Sequence, residues 1–306
     1  MPKKSVLQMI CTELGEHEFS KLSPEEQRAI DQLVWVRCCM HKELNTAKGR
    51  YTRMSKYWVR MGLPRPLKLM NWDNATAFNI GNDSAKEQAS SASQGSAVKL
   101  MTLAGSLFNH SNNKKGQQDS YNNFFEERLG YCVKFPDTSN TRYQSHCEAA
   151  TVLLHHHNLY IEFMELIRDK KEMRTFNHME SNVYHALKDP ATLEELFVLA
   201  VFYIAISRPY MHCVWGRDHQ NINALDLGPL HHEILNFMHQ IIEKPSLILG
   251  EQATYETATF DKQPFDSPEG FELIKSSHES YHNIDGLLLE FFYWGSRNLW
   301  SLFCRV

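Results

Sequence analysis

No phosphate-binding Gly-x-x-x-x-Gly-Lys-Ser/Thr loop, Gly-x-Gly-x-x-Gly turn, Gly-x-Ser-x-Gly elbow or paired Cys-x-x-Cys occurs in the 306 residues. Their absence removes the best-defined sequence routes to nucleotide and serine-hydrolase chemistry. Helix breakers are scarce, with 14 glycines and 11 prolines in the chain and none of either between Asp137 and Asp189. Nothing local interrupts a helix over that span. No stretch carries the apolar alternation and turn spacing of a sheet. The longest strongly apolar run, Leu196 to Ile206, falls short of the roughly 20 residues that cross a bilayer, so no membrane partner is expected. Seven cysteines, an odd number scattered over a long chain, exclude a disulfide framework. The expectation is reduced thiols and an intracellular protein, nuclear or cytoplasmic.

What the chain does contain is helix punctuation. Ser23-Pro24-Glu25-Glu26 has capping-box spacing with proline at the first helical position, and Asn177-x-x-Glu180 and Thr192-x-x-Glu195 repeat that spacing. Asp119 or Ser120 can cap a helix that Gly130 stops, and Pro209 follows the end of TLEELFVLAVFYIAIS, which is apolar nearly all round and belongs in a core. The reading is an all-α, bundle-like array without substantial sheet, with long helices in 24–47, 141–171, 192–207, 229–243 and 285–303 and a shorter one from Tyr51 to Met61. Composition suggests a basic helical region at 1–80, a low-complexity connector holding one helix at 81–119, and a main helical domain at 120–306.

Candidate metal ligands fare poorly. In LLHHHNLY the histidines 155, 156 and 157 point about 100° apart on a helix and cannot converge on one ion. Stepping by three and four from Tyr143 places His157 in an apolar seam. Glu148, Thr151, His155, Asn158, Glu162, Glu165 and Asp169 form an acidic, solvated stripe. Cys38 and His41 share a face, but two ligands do not make a structural zinc site. No metal and no cofactor are expected.

The densest charge feature is HKELNTAKGRYTRMSKYWVRMGLPRPLK, residues 41–68, with eight cations against the single acid Glu43. It contributes to a net charge of +5 over residues 1–140 against −9 over 141–306. Arg50, Arg53, Lys56 and Arg60 fall along one side of a helix, flanked by Lys48. Tyr51, Tyr57 and Trp58 are interleaved, and basic side chains among aromatics suit a phosphate backbone with stackable bases. The alternative is a solvated face, or one docked against the acidic half.

CCMHKELN resembles the Cys-x-x-His motif of hAT-superfamily transposases, which is followed by a Leu-Asn pair. NTRYQSHCEAA is similar to the Thr-Arg-Trp segment of the same enzymes, with Tyr143 in place of the tryptophan. The chain also resembles uncharacterised transposon-related proteins of fungi. The resemblance rests on Cys38, His41, Leu44, Asn45, Thr141 and Arg142. It implies the helical, C-terminal portion of such an enzyme, whose RNase H-like fold uses three acids and divalent metal. Only 37 residues precede Cys38, none strand-like, so that triad cannot be assembled here. The expectation is a non-catalytic, transposase-derived protein that binds DNA or RNA weakly and without sequence preference, or binds other chains. Two alternatives stand beside it: a helical scaffold that self-associates through the aromatic C-terminal helix, and a metal-dependent helical enzyme using histidines and carboxylates around 146–165.

Overall fold

The computed structural model of the protein describes residues 15–31, 39–93, 97–110, 116–138, 145–215, 227–266 and 268–303; for 29–31, 39–49, 277, 279 and 294–303 it describes the backbone alone. The chain divides into two compact units, Met1–Arg37 with Arg305–Val306, and Cys38–Cys304. Among the described residues every regular element is helical, and the fold is all-α. In the first unit α1 (Pro24–Asp31) begins at the expected capping box. The Ser23 amide donates to Glu26 at 2.9 Å and the Glu26 amide to Ser23 Oγ at 3.3 Å, which holds the Glu26 carboxyl below its ordinary range.

The second unit starts with α2 (Cys39–Met61), a single helix that runs straight through Gly49, where the sequence pattern predicts a break. Met54, Tyr57 and Trp58 share one face with Arg50, and all four are buried. Burial of such a face outweighs the roughly 1 kcal/mol that an interior glycine costs. Asn71 and Asn82 cap α3 (Trp72–Ile80) and α4 (Asp83–Ala92), accepting the amides of Asn74 and Ala85 at 2.8 and 2.9 Å.

Next comes α5 (Ala97–Phe108), inside the stretch whose composition suggests a connector. Leu100, Met101, Ala104, Leu107 and Phe108 are instead fully or almost fully buried. The small residues Ala97, Ala104 and Gly105 of α5 are buried, and Gly105 lies so close to Thr138 that a Cβ there would clash. No boundary falls at 80 or 119. After α6 (Gln118–Leu129), Gly130 closes the helix at φ +76°, as expected of a left-handed cap.

The expected 141–171 helix is two: α7 (Ser145–His155) and α8 (His157–Asp169), broken at His156, whose backbone leaves the helical region at φ −114°, ψ 25°. The capping box of α9 (His178–Leu187) forms as expected. That of α10 (Pro190–Phe202) does not. Asp189 caps it by accepting from the Thr192 amide at 3.0 Å, which frees Glu195 for the core.

Every residue from Ala191 to Phe202 is buried, two glutamates included. Glu195 accepts from Trp58 Nε1 at 3.0 Å and from the Ala97 amide at 3.2 Å. Glu194 accepts the amides of His282 and Asn283 at 3.1 and 3.3 Å, just ahead of the last helix. These carboxylates fasten α2, α5 and the final helix to α10, because a buried acid is tolerated only where donors meet it.

Pro209 does not end this helix. A π-helical turn, Tyr203–Ser207, absorbs the missing amide and the chain continues as α11 (Arg208–Trp215). Pro190–Val214 is long and apolar enough to cross a membrane by length and composition, and 83% of its apolar window is buried inside the protein. Such burial is ordinary for a core helix. The remaining helices are α12 (Gly228–Glu243), the single turns α13 (Ser246–Leu249) and α14 (Tyr255–Ala258), α15 (Pro268–Ser277) and α16 (Ile284–Phe303). α16 packs on α2, α10 and α12, burying Leu287, Leu288, Phe291 and Phe292. Its first half therefore closes the core of this chain.

Candidate functional site

The basic segment is not the ridge that its spacing suggests. Arg50 is fully buried, its guanidinium 4.3 Å from the centroid of Phe202 and 5.0 Å from that of Phe291, with Nη2 3.2 Å from Met238 Sδ. Arg53 is half-buried, and Arg60, though exposed, pairs with Glu290 of α16 at 2.6 Å. Lys56 is exposed. Trp58, expected as a stacking platform, lies in the core with its indole N–H on Glu195. The physical reason is that positions 50, 54, 57 and 58 form one face, for which α10 supplies Phe202 and Glu195 and α16 supplies Phe291. The correction is that α2 docks against the C-terminal half and keeps Lys56 and Arg60 as its outward cations. Lys48 and His41 lie on α2 with side chains outside the described residues, and Cys38, Thr141 and Arg142 lie outside them altogether.

The polar stripe of residues 148–165 is also divided. Beyond the break at His156, Glu162 pairs with Arg128, and Glu165 accepts from Tyr184 Oη at 2.6 Å and pairs with Lys188 at 3.2 Å, all at the surface. Before the break, Glu148, Thr151, Val152 and His155 occupy one face of α7, at spacings of three and four, and that face walls a cavity of about 530 Å³. All four are only partly buried. Tyr203 and Ile204 of the π turn, with Arg208 and His212 of α11, form another part of the lining. Pro264, Phe265, Asp266 and Glu269 come from the segment leading into α15, and Tyr131 and Val133 from the loop after α6.

Electrostatics of the lining follow from burial. Glu148 has its carboxyl raised above the ordinary range by burial, which Arg208 partly offsets. His156 is pushed down to about 4 by burial and by the neighbouring His155, so at neutral pH it is an uncharged imidazole. The two rings stand edge to face with centroids 4.4 Å apart. Burial and then the Glu148 carboxylate lift Tyr203 well above a normal phenol. Burial opposes the charge on Arg208, but its hydrogen bond to Asp266, together with the pull of Tyr203, Asp266 and Glu148, more than restores it. Asp266 also meets His212 Nε2 at 3.1 Å.

His157, the third histidine, is placed elsewhere, with Nε2 2.7 Å from the carbonyl oxygen of Leu187. Among the described residues no group of three His, Cys, Asp or Glu side chains could hold a metal ion. The sequence signal for the cavity is incomplete: Glu148 and His155 stand on a recognisable face, whereas Arg208, His212 and Asp266 carry none beyond a proline placed inside an apolar helix. No protein-family model, curated protein or solved structure matches the chain.

Proposed function

We propose that the protein is a helical small-molecule-binding protein whose ligand occupies the cavity walled by α7, the π turn with α11, and the segment leading into α15. The observation that carries this reading is the cavity. Its volume of about 530 Å³ lies within the ~300–1,000 Å³ of ligand sites, and apolar side chains alternate in it with a few convergent polar groups. The π-helical turn supports the reading, since such turns concentrate at functional positions, where they re-aim side chains. Here it carries the lining from Tyr203 and Ile204 on to Arg208.

The test is a fragment screen by ligand-observed NMR on the full chain, repeated on Thr151→Trp, which places an indole in the cavity. Fragments that compete with one another and are lost in the filled variant support the reading. No binding, or binding indifferent to the tryptophan, overturns it. Weak contact with nucleic-acid phosphates through Lys56 and Arg60 is a separate proposal, favoured by their exposure on α2. Descent from a hAT-like transposase remains a proposal resting on Cys38, His41, Thr141 and Arg142.

A further inference from the structure

The charge of the cavity lining selects among ligand classes. Four carboxylates face it, Glu148, Asp261, Asp266 and Glu269, against the single guanidinium of Arg208. That guanidinium is already engaged by Asp266, which His212 also meets. An entering anion would have to displace Asp266 from Arg208 and then sit among the other three acids. Glu148, Asp261 and Glu269 make no ion pair among the described residues. Of these, Glu148 is the one drawn into the wall of α7, with no hydrogen-bond donor from the described residues on its carboxylate. Arg208 offsets the burial of Glu148 only in part and is itself held by Asp266, so the carboxylate stays costly, and a cation arriving beside it removes that cost.

A metal ion is a poor candidate, because no three ligands converge among the described residues. The rings of Tyr203, Phe265 and Tyr131 supply the other half of the chemistry, since aromatic faces attract ammonium groups and cover apolar bodies.

We propose that this cavity takes an organic cation, a protonated amine on an apolar body, with Glu148 as its counter-ion and the Tyr203 and Phe265 rings against its apolar part. The inference rests on the small-molecule reading above and narrows it to one charge class.

Three size-matched probes test the charge class apart from the cavity itself: tryptamine, tryptophol and indole-3-propionate, a cation, a neutral alcohol and an anion on one ring system. Each is titrated by ligand-observed NMR into the full chain, into Glu148→Gln and into Thr151→Trp, at pH 7.5 and low salt. Tryptamine is expected to bind at least about tenfold more tightly than tryptophol, with indole-3-propionate weakest. Loss of a charge-assisted contact in Glu148→Gln should weaken tryptamine about 10- to 100-fold and leave tryptophol unchanged. Folding of each variant is checked by its thermal transition, and the ranking of the three probes on the unsubstituted protein stands without any variant.

Plug-sensitive tryptophol binding with tryptamine no tighter overturns the cation class and leaves the cavity reading intact. The cation class falls in the same way if indole-3-propionate is the tightest, or if Glu148→Gln leaves tryptamine unaffected. Absence of plug-sensitive binding by all three overturns both.

Discussion

Replacing Trp58 by phenylalanine should cost the protein about 2.5–4 kcal/mol of stability. The indole N–H donates to the Glu195 carboxylate at 3.0 Å, with both side chains almost fully buried. A hydrogen bond to a buried charged group is worth about 1.5–3 kcal/mol. The smaller ring also leaves a gap on the order of 40 Å³, worth about 1 kcal/mol at about 24 cal/mol per Å³. For a chain of this size the sum corresponds to a lowering of Tm by about 4–6 °C. Guanidinium unfolding followed by far-ultraviolet circular dichroism reads the change without relying on tryptophan emission. A double-mutant cycle with Glu195→Leu isolates the pair and should return a coupling of about 2 kcal/mol. A loss below about 1 kcal/mol, or a coupling near zero, would refute the reasoning. Trp58 would then be free of Glu195, and a base-stacking role for its ring would regain force.

Gly286 lies where a Cβ would come 2.2 Å from Tyr57 Oη and 2.6 Å from the ring. Gly286→Ala should therefore destabilise by about 1–3 kcal/mol in chemical denaturation, and adding Tyr57→Ala should recover part of the loss attributable to the clash. His156, held down to about 4 against an ordinary 6.5, is neutral in the fold while the unfolded chain takes up its proton first. Stability is thus lost as pH falls from about 6.5 towards 4, by about 1 kcal/mol after allowance for solvent screening. Denaturant midpoints at both ends of that window should converge in His156→Gln relative to the unsubstituted protein. Glu148 has the opposite sign, its raised carboxyl costing stability above its ordinary range, so Glu148→Gln should raise Tm at pH 7.5. On duplex DNA, Lys56 and Arg60 can neutralise two phosphates, giving a slope of log affinity against log salt of about −1.8. Fluorescence anisotropy yielding a slope steeper than about −3 would return buried Arg50 and half-buried Arg53 to the surface.

Where a helix begins and ends is legible wherever a side chain next to it decides the matter. Ser23 with Glu26, Asn177 with Glu180 and Gly130 each act on backbone groups within three residues, and each is found where the spacing puts it. Failures occur where a distant partner overrides the local signal. Gly49 does not break α2 because α16 and α10 cover the face running through Arg50, Met54 and Trp58. Pro209 does not stop its helix, because a π turn with Ala205, Ile206 and Ser207 buried keeps the backbone paired. Thr192 and Glu195 have capping-box spacing, yet Asp189 caps first and the glutamate turns to Trp58 and Ala97. Over the same low-complexity stretch the pattern does not separate α5, which is packed into the core, from α4, which buries only Ala89.

The site exposes a different limit. Periodicity identifies Glu148, Thr151 and His155 as one polar face, and that face is real. A polar face bordering solvent and one bordering a ligand cavity have the same pattern in sequence, because both need groups able to meet hydrogen-bonding partners. What separates them is the wall opposite, and here it comes from residues some 50 to 120 positions further on, Arg208 and Asp266 among them. The break at His156 then decides which part of the stripe becomes which. It turns Glu162 and Glu165 outward to Arg128 and Lys188 while Glu148 stays under cover. A cavity of this kind is thus written in the sequence as two incomplete halves, a helical polar face and a proline-bearing apolar helix, and neither half implies a pocket until a kink and a π turn bring them together.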